Sequence, residues 1–322
     1  MIYSRIVSSG AYLPSDVRTN DDLAKIMDTS DEWIRTRTGI AERHIAADSE
    51  TCTDMCEKAA LAALQDAGLE ARDIDLIVVA TSTPEYLFPS TAVLLQHRLA
   101  CRDIPAFDVS AACSGFIYAL STADAYIRSY SARKVLVVGA DLFSNSIDWT
   151  DRNTAVLFGD GAAAVILEAA ATPGIFGFCL HSDGSYADLL TIPKGAGAAR
   201  VNPDAPPPYL QMQGREVFKV AVKSLANLVE ELLDKYETCA DDLDYLVPHQ
   251  ANLRIIKATA QHLNMPMEKV ILTVDKHANT SAASIPLALD FGIKSGKIKR
   301  GNKLLLEAFG GGFTWGGFLL MY

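Results

Sequence analysis

The sequence predicts an α/β protein made of two halves that repeat one order of elements. Two observations carry this reading. Short apolar, strand-like runs alternate with helical stretches of ten or more residues, which implies parallel pairing with helices on the sheet faces. The same succession of elements then occurs twice along the 322 residues. Solenoid repeats run to about 20–50 residues, and this one is far longer. The halves are expected at residues 1–173 and 174–322, stacked on each other as two similar layers.

In the first half, apolar periodicity over 54–67 predicts a helix that ends at Gly68. Arg72-Asp73-Ile74-Asp75 then leads into a strand over Leu76–Ala80. In the second half the helix covers 217–233, and Asp241-Asp242-Leu243-Asp244 leads into Tyr245-Leu246-Val247. A second helix follows each strand, over 91–99 and 254–263. Short strands come next, at Ala106–Val109 and at 270–274. Each runs into small residues: Ser110-Ala111-Ala112-Cys113-Ser114-Gly115 in one half, His277-Ala278-Asn279-Thr280-Ser281-Ala282 in the other. Strands over 134–140 and 303–308 match in turn, each followed by a glycine-containing turn and a further strand. The breaker-rich stretch 193–208 predicts a long connection between the halves.

Composition narrows the function. With 49% hydrophobic and 21% charged residues, the chain reads as a soluble globular protein whose core requires no disulfide or metal. Its apolar runs are too short to span a bilayer, and the first residues lack the features of a signal peptide, so a cytoplasmic protein with no membrane partner is expected. A net charge of −10 argues against nucleic acid as a partner. Of the six cysteines, Cys52 and Cys56 have helical i,i+4 spacing, and no zinc-ligand pattern follows them. His97 and His262 fall on predicted helices as surface residues, and His44 has no evident partner. Phe158-Gly159-Asp160-Gly161 leaves a dinucleotide fingerprint incomplete and reads as structural.

Three residues stand out chemically. Cys113 sits where a short strand gives way to helical character from Phe116, and helix amides aimed at a sulfur favour the thiolate. Alone, a cysteine among alanines is more often an inert core residue. His249 follows the apolar strand that ends in Val247-Pro248, and Asn279 lies at the place equivalent to the Cys113 turn. Pseudo-symmetric stacking of the halves would set Cys113 and Asn279 across the axis from each other, with His249 beside them.

Nearly end to end, the chain also carries specific motifs. They include Thr29-Ser30-Asp31-Glu32-Trp33-Ile34, Thr36-Arg37-Thr38-Gly39-Ile40, the Phe158-Gly159-Asp160-Gly161 segment, Pro248-His249-Gln250-Ala251-Asn252, and Glu307-Ala308-Phe309-Gly310-Gly311-Gly312-Phe313-Thr314-Trp315-Gly316. On these it resembles the β-ketoacyl-acyl-carrier-protein synthase III family, the initiating condensing enzymes of bacterial type II fatty-acid synthesis. The resemblance implies a thiolase fold, with duplicated halves in a five-layered α-β-α-β-α arrangement, and a homodimer. It implies a triad of Cys113, His249 and Asn279, the asparagine pointing to the initiating class. In that scheme acyl-CoA, with acetyl-CoA the expected primer, acylates Cys113, and malonyl-acyl carrier protein loses CO₂ to give the attacking carbanion. The amides of Cys113 and Gly311 would form the oxyanion hole. Coenzyme A thioester is a substrate, and no cofactor or metal is implied.

The resemblance also assigns binding residues. Trp33 and Arg152 would hold the adenine of coenzyme A with Arg37 in the same mouth, and Asn252, Gly214 and Phe218 would line the pantetheine channel. Arg215 follows Gly214 where a smaller polar residue is expected. Phe88 would close the partner's acyl pocket and so favour a short primer. By the same resemblance Arg254 would dock the acidic carrier protein despite the net negative charge, with Lys257 at i+3 on one helix face and Lys219 beside Phe218 completing the basic patch. Two other functions compete: a related condensing or acyl-transfer enzyme of secondary metabolism, and a silent acyl-binding subunit, which would lack the nucleophile.

Overall fold

The computed structural model describes residues 2–193 and 209–322, so the expected connection over 193–208 lies, beyond Pro193, outside the described residues. In the first half, β1 (Tyr3–Tyr12) precedes a small pair, β2 (Asp16–Thr19) and β3 (Glu42–Ile45), that encloses α1 (Asn20–Ala24) and α2 (Asp31–Thr38). Then come α3 (Cys52–Ala67), β4 (Leu76–Ala80), α4 (Thr91–Arg98), β5 (Ala106–Val109), α5 (Gly115–Arg128), β6 (Lys134–Asp141), α6 (Arg152–Ala155) and β7 (Gly161–Ala170). The second half holds β8 (Ile175–Ser182), the short β9 (Leu190–Thr191) and β10 (Gln211–Met212), α7 (Gly214–Lys235), β11 (Tyr245–Pro248) and α8 (Leu253–His262). It ends with α9 (Val274–His277), α10 (Ser284–Lys294), β12 (Lys303–Gly310) and β13 (Thr314–Met321).

Local chemistry explains the boundaries. Thr51 caps α3 by accepting the Asp54 N–H while the Asp54 carboxylate accepts the Thr51 N–H, and Gly68 ends the helix at φ 64°, a conformation that glycine adopts without cost. Ser30 caps α2 by accepting the Trp33 N–H. Asn252 caps α8 through the Arg254 N–H. The buried face of α3 is small, with Ala59, Ala60 and Ala63, so its backbone lies close on the sheet. Gly10 of β1 is the matching surface, since a Cβ there would sit 2.3 Å from the Ala63 nitrogen.

Two mixed sheets result, one ordered β1-β7-β6-β4-β5 and the other β11-β12-β13-β8. The expected parallel pairing holds at one end of each sheet, β4 with β5 and β6, and β11 with β12. The remaining pairs are antiparallel: β7 with β6 and β1, and β13 with β12 and β8. No long crossover helix intervenes between β6 and β7 or between β12 and β13, so the chain turns back on itself rather than crossing over a face. Helices alternate with these sheets. α3 and α4 cover the outer face of the first, α7 and α8 that of the second, and α5 and α10 lie between the two.

The duplication extends to single backbone angles. Left-handed residues recur at matching places: Gly68 with Glu237, Ala100 with Asn264, Ala112 with Ser281, and Tyr130 with Gly296. Asp75 accepts the Lys134 N–H beside β6, and Asp244 likewise accepts the Lys303 N–H beside β12.

One predicted element is absent. Residues 270–274 were expected as a strand matching β5, yet only Val270 bridges to Leu246, and Val274 already opens α9. The buried Gln250 side chain takes the ladder's place. Its amide nitrogen donates to the carbonyls of Pro248 and Ile271, and its oxygen accepts the N–H groups of Thr273 and Val274. Among the described residues no helix is long and apolar enough to cross a membrane, and no cluster of three or more His, Cys, Asp or Glu could hold a metal ion. His97 and His262 are exposed as expected. His44 does have partners: its Nδ1 donates to the Pro14 carbonyl at 2.6 Å, and its ring meets that of His277 edge-on.

Candidate active site

A cavity of about 740 Å³ receives residues from both halves. At its floor the left-handed Ala112 turns the chain from β5 into α5, leaving Cys113 in the tight turn before the helix. In the opposite half the left-handed Ser281 makes the same turn into α10. The structural counterpart of Cys113 is therefore Ala282, and Asn279 stands three residues before it rather than level with the cysteine. Cys113, His249 and Asn279 all line the cavity and are all buried.

Each of the three is held by identifiable bonds. Asn279 Oδ1 accepts the Ser281 N–H at 2.9 Å, which leaves the NH₂ end as the free donor. Its backbone is pinned to the other half: its N–H donates to Leu157, and its carbonyl accepts from Gly159 of the Phe158-Gly159-Asp160-Gly161 segment. That segment is structural, because Asp160 in turn accepts the N–H groups of Ala46 and Ser144. The His249 N–H donates to the Glu307 carbonyl at 2.8 Å, and its ring Nδ1 contacts the Ser284 hydroxyl. Burial lowers the His249 pKa to about 3, so the imidazole is neutral at physiological pH.

Cys113 departs from expectation. Burial pushes its thiol up to about 12; a hydrogen bond from the Ser281 hydroxyl, 3.4 Å from Sγ, opposes this, while the nearby Asp141 charge adds to it. The resting Cys113 side chain is a thiol, because desolvation outweighs the Ser281 hydrogen bond and the backbone N–H at the turn. Asp141, buried and itself pushed up to about 6 by desolvation, accepts the N–H groups of Ser82 and Ala282 and so ties the two halves together beside the turn. Gly310, at the end of β12, passes so close that a Cβ would lie 2.7 Å from the Cys113 nitrogen. Gly311 also lines the cavity.

A family model described as 3-oxoacyl-[acyl-carrier-protein] synthase III matches residues 107–184, and its C-terminal companion matches residues 233–322. The chain is 56% identical, over the whole of both chains, to β-ketoacyl-[acyl-carrier-protein] synthase III of Alkalilimnicola ehrlichii. It is 57% identical to the protein of that name from Xanthomonas campestris pv. campestris, covering 100% of this chain and 99% of the relative. The crystal structure of 3-oxoacyl-[acyl-carrier-protein] synthase III from Aquifex aeolicus VF5 superposes with a TM-score of 0.93 at 49% identity, covering 99% of this chain and 100% of that one. The chain belongs to the 3-oxoacyl-[acyl-carrier-protein] synthase III family. The five-layered thiolase fold expected from the sequence is the fold observed.

Around the mouth of this synthase III cavity lie most of the residues that the motifs singled out. Trp33, Arg37, Arg152, Gly214, Phe218, Lys219, Asn252 and Arg254 all line it. The guanidinium groups of Arg37 and Arg152 lie over the Trp33 ring, 4.4 and 4.7 Å from its centroid, and Arg254 lies 5.1 Å from that of Phe218. Arg152 is further anchored by donating to the Asp28 carbonyl. Lys219 is paired with Glu216, which reduces the positive charge it offers. Asn252 spends its side-chain oxygen on the α8 cap, leaving its NH₂ as the free end. Two residues stand apart. Lys257 is exposed on α8 outside the cavity lining, and Phe88 is 85% exposed at a loop tip beside Tyr86 and Leu87.

Sequence reasoning assigned no role to Ser281, Ser284, Asp141, Gln250 or Gly310. The signal that could have found them is the repeat itself, since each holds a position where the two halves differ.

Proposed function

We propose that the chain is a β-ketoacyl-acyl carrier protein synthase III, which condenses an acyl-CoA primer with malonyl-acyl carrier protein and thereby starts type II fatty-acid synthesis. The observation that carries this is the convergence of Cys113, His249 and Asn279 on one cavity in a chain of this family. Residues 1–173 form the half that supplies the cysteine, and residues 174–322 the half that supplies the histidine and asparagine. The Cys113 sulfur attacks the primer thioester, the thiol of coenzyme A leaves, and the cysteine proton departs with it. The amides of Cys113 and Gly311 receive the tetrahedral oxyanion, and the absent side chain of Gly310 keeps the first of them open.

Malonyl-acyl carrier protein then loses its carboxylate as CO₂. Neutral His249 and the free amide of Asn279 donate to the thioester oxygen where the electrons gather. The carbanion attacks acyl-Cys113, the β-ketoacyl product leaves on the carrier, and the sulfur regains a proton. Coenzyme A occupies the mouth between Trp33, Arg37 and Arg152, with pantetheine along Gly214, Phe218 and Asn252. The carrier protein docks at Arg254, Lys219 and Lys257. The protein acts in the cytoplasm, without a cofactor or metal, as a homodimer. The exposed Tyr86-Leu87-Phe88 tip supports that assembly, with Phe88 closing the partner's pocket and favouring acetyl as primer.

Intact mass measurement after incubation with acetyl-CoA tests the reading. One acetyl group should appear, peptide mapping should place it on Cys113, and Cys113→Ser should gain none. A label on Cys101 or Cys179, or no label, overturns it.

A further inference from the structure

Ser284 is the first residue of α10, and its hydroxyl makes two contacts. The Gln250 backbone N–H donates to Ser284 Oγ at 3.3 Å, and the same oxygen is in short hydrogen-bond contact with His249 Nδ1. A hydroxyl has one proton to give. Among the described residues, Ser284 Oγ has no carbonyl or carboxylate in hydrogen-bond contact, so the acceptor left for its proton is Nδ1. A neutral imidazole that accepts at Nδ1 carries its own proton on Nε2. The opposite tautomer would leave the hydroxyl proton without a partner and would present a lone pair, rather than a donor, at the other ring nitrogen.

We propose that Ser284 is a positioning residue that fixes His249 as the Nε2–H tautomer, so that the ring can only donate to charge developing on a substrate oxygen. This deepens the reading of His249 as an enolate-stabilising donor and rests on it. The duplicated half provides an internal contrast. Counting from the paired starts Leu76↔Val135 and Tyr245↔Leu304, Ala80 and His249 occupy the same register. Gly115 and Ser284 likewise each open the helix that follows the turn. Where the ring is replaced by a methyl, the hydroxyl is missing too, and a Cβ on Gly115 would press to 3.1 Å from that of Ala80. Ring and hydroxyl occur as a pair.

The test is nitrogen NMR of protein labelled with ¹⁵N-histidine, with the His249 signals identified by their loss in His249→Ala. Wild-type protein near neutral pH should show a protonated Nε2 and a bare, hydrogen-bonded Nδ1. In Ser284→Ala the Nδ1–H form should become populated, and malonyl decarboxylation should fall at least ~10-fold, a part of what one oxyanion donor contributes. Acetylation of Cys113 should change much less, and Ser284→Thr, which keeps a hydroxyl, should restore the wild-type spectrum and rate. A wild-type ring protonated at Nδ1 overturns the proposal. So does a Ser284→Ala protein that keeps both a pure Nε2–H spectrum and full decarboxylation. The spectrum needs no substrate, so a wild-type protein that showed the tautomer but failed to condense would defeat the functional reading and leave the assignment of Ser284 standing as a structural fact.

Discussion

Gly310 has no side chain at the point where β12 brushes the Cys113 turn, and in the proposed oxyanion hole that would decide whether the Cys113 amide can reach a substrate oxygen. A methyl group there would sit 2.7 Å from one backbone nitrogen and 2.9 Å from the next, and neither can yield as a flexible side chain would. Gly310→Ala is therefore expected to lower acetyl transfer and condensation alike, by on the order of 10²-fold, the cost of one blocked oxyanion donor. Separate assays of the two half-reactions check this, and unchanged acetyl transfer would place the oxyanion elsewhere. At this scale the sequence was partly legible. Cys113, His249 and Asn279 lie in short motifs whose residue types announce chemistry. Asp141 and Ser284 do not: their partners are Ala282 and the His249 ring, and nothing local marks an aspartate or serine as bonded across the fold.

Among the elements, the stretch over 270–274 shows how a side chain can stand in for a strand. Val270, Ile271 and Val274 have the apolar, branched composition of a short buried strand, so pattern alone reads one there. Composition is blind to Gln250, whose amide satisfies two N–H groups and two carbonyls that a ladder would otherwise serve. Gln250→Leu keeps roughly the volume but leaves those groups buried and unpaired. It should destabilise the protein by about 2–5 kcal/mol, at ~1–3 kcal/mol for each unsatisfied group less local relaxation. Urea unfolding measures it, and a loss below ~0.5 kcal/mol would show that water replaces the amide. The helices were more legible than this segment because their caps, such as Thr51 with Asp54 and Gly68, are written within a few residues of each other.

The molecule as a whole carries a charge of −10, yet its cavity mouth collects Arg37, Arg152, Arg215 and Arg254. An acidic carrier would meet this local field rather than the net charge, because at ~0.15 M salt interactions beyond roughly 8 Å are largely screened. Arg254→Glu should therefore raise the KM for malonyl-acyl carrier protein several-fold while sparing acetyl transfer from CoA, and equal loss in both steps would remove Arg254 from docking. Global stability should also depend on pH through Glu307. Burial raises this carboxyl from 4.5 to about 8, and among the described residues its Oε2 has no partner. Below pH 4.5 it is protonated in folded and unfolded chains alike and costs nothing. As pH rises from 4.5 to 8 only the unfolded chain ionises, so stability falls, by on the order of a few kcal/mol. Glu307→Gln should abolish that decline, and parallel stability curves for variant and wild type would show that the carboxyl titrates normally.

The middle helical layer has a further consequence, for how the chain acquires its structure. One apolar cluster joins Phe116, Ile117 and Leu120 of α5 and Ile285, Ala288 and Leu289 of α10 to strands of both sheets. A nascent chain that ended at residue 173 would carry α5 with much of its apolar surface bare, waiting for partners not yet synthesised. The two halves therefore behave as one foldon, not two. Denaturation should proceed in a single cooperative step, and a lone amino-terminal fragment should remain molten and bind ANS until its other half arrives.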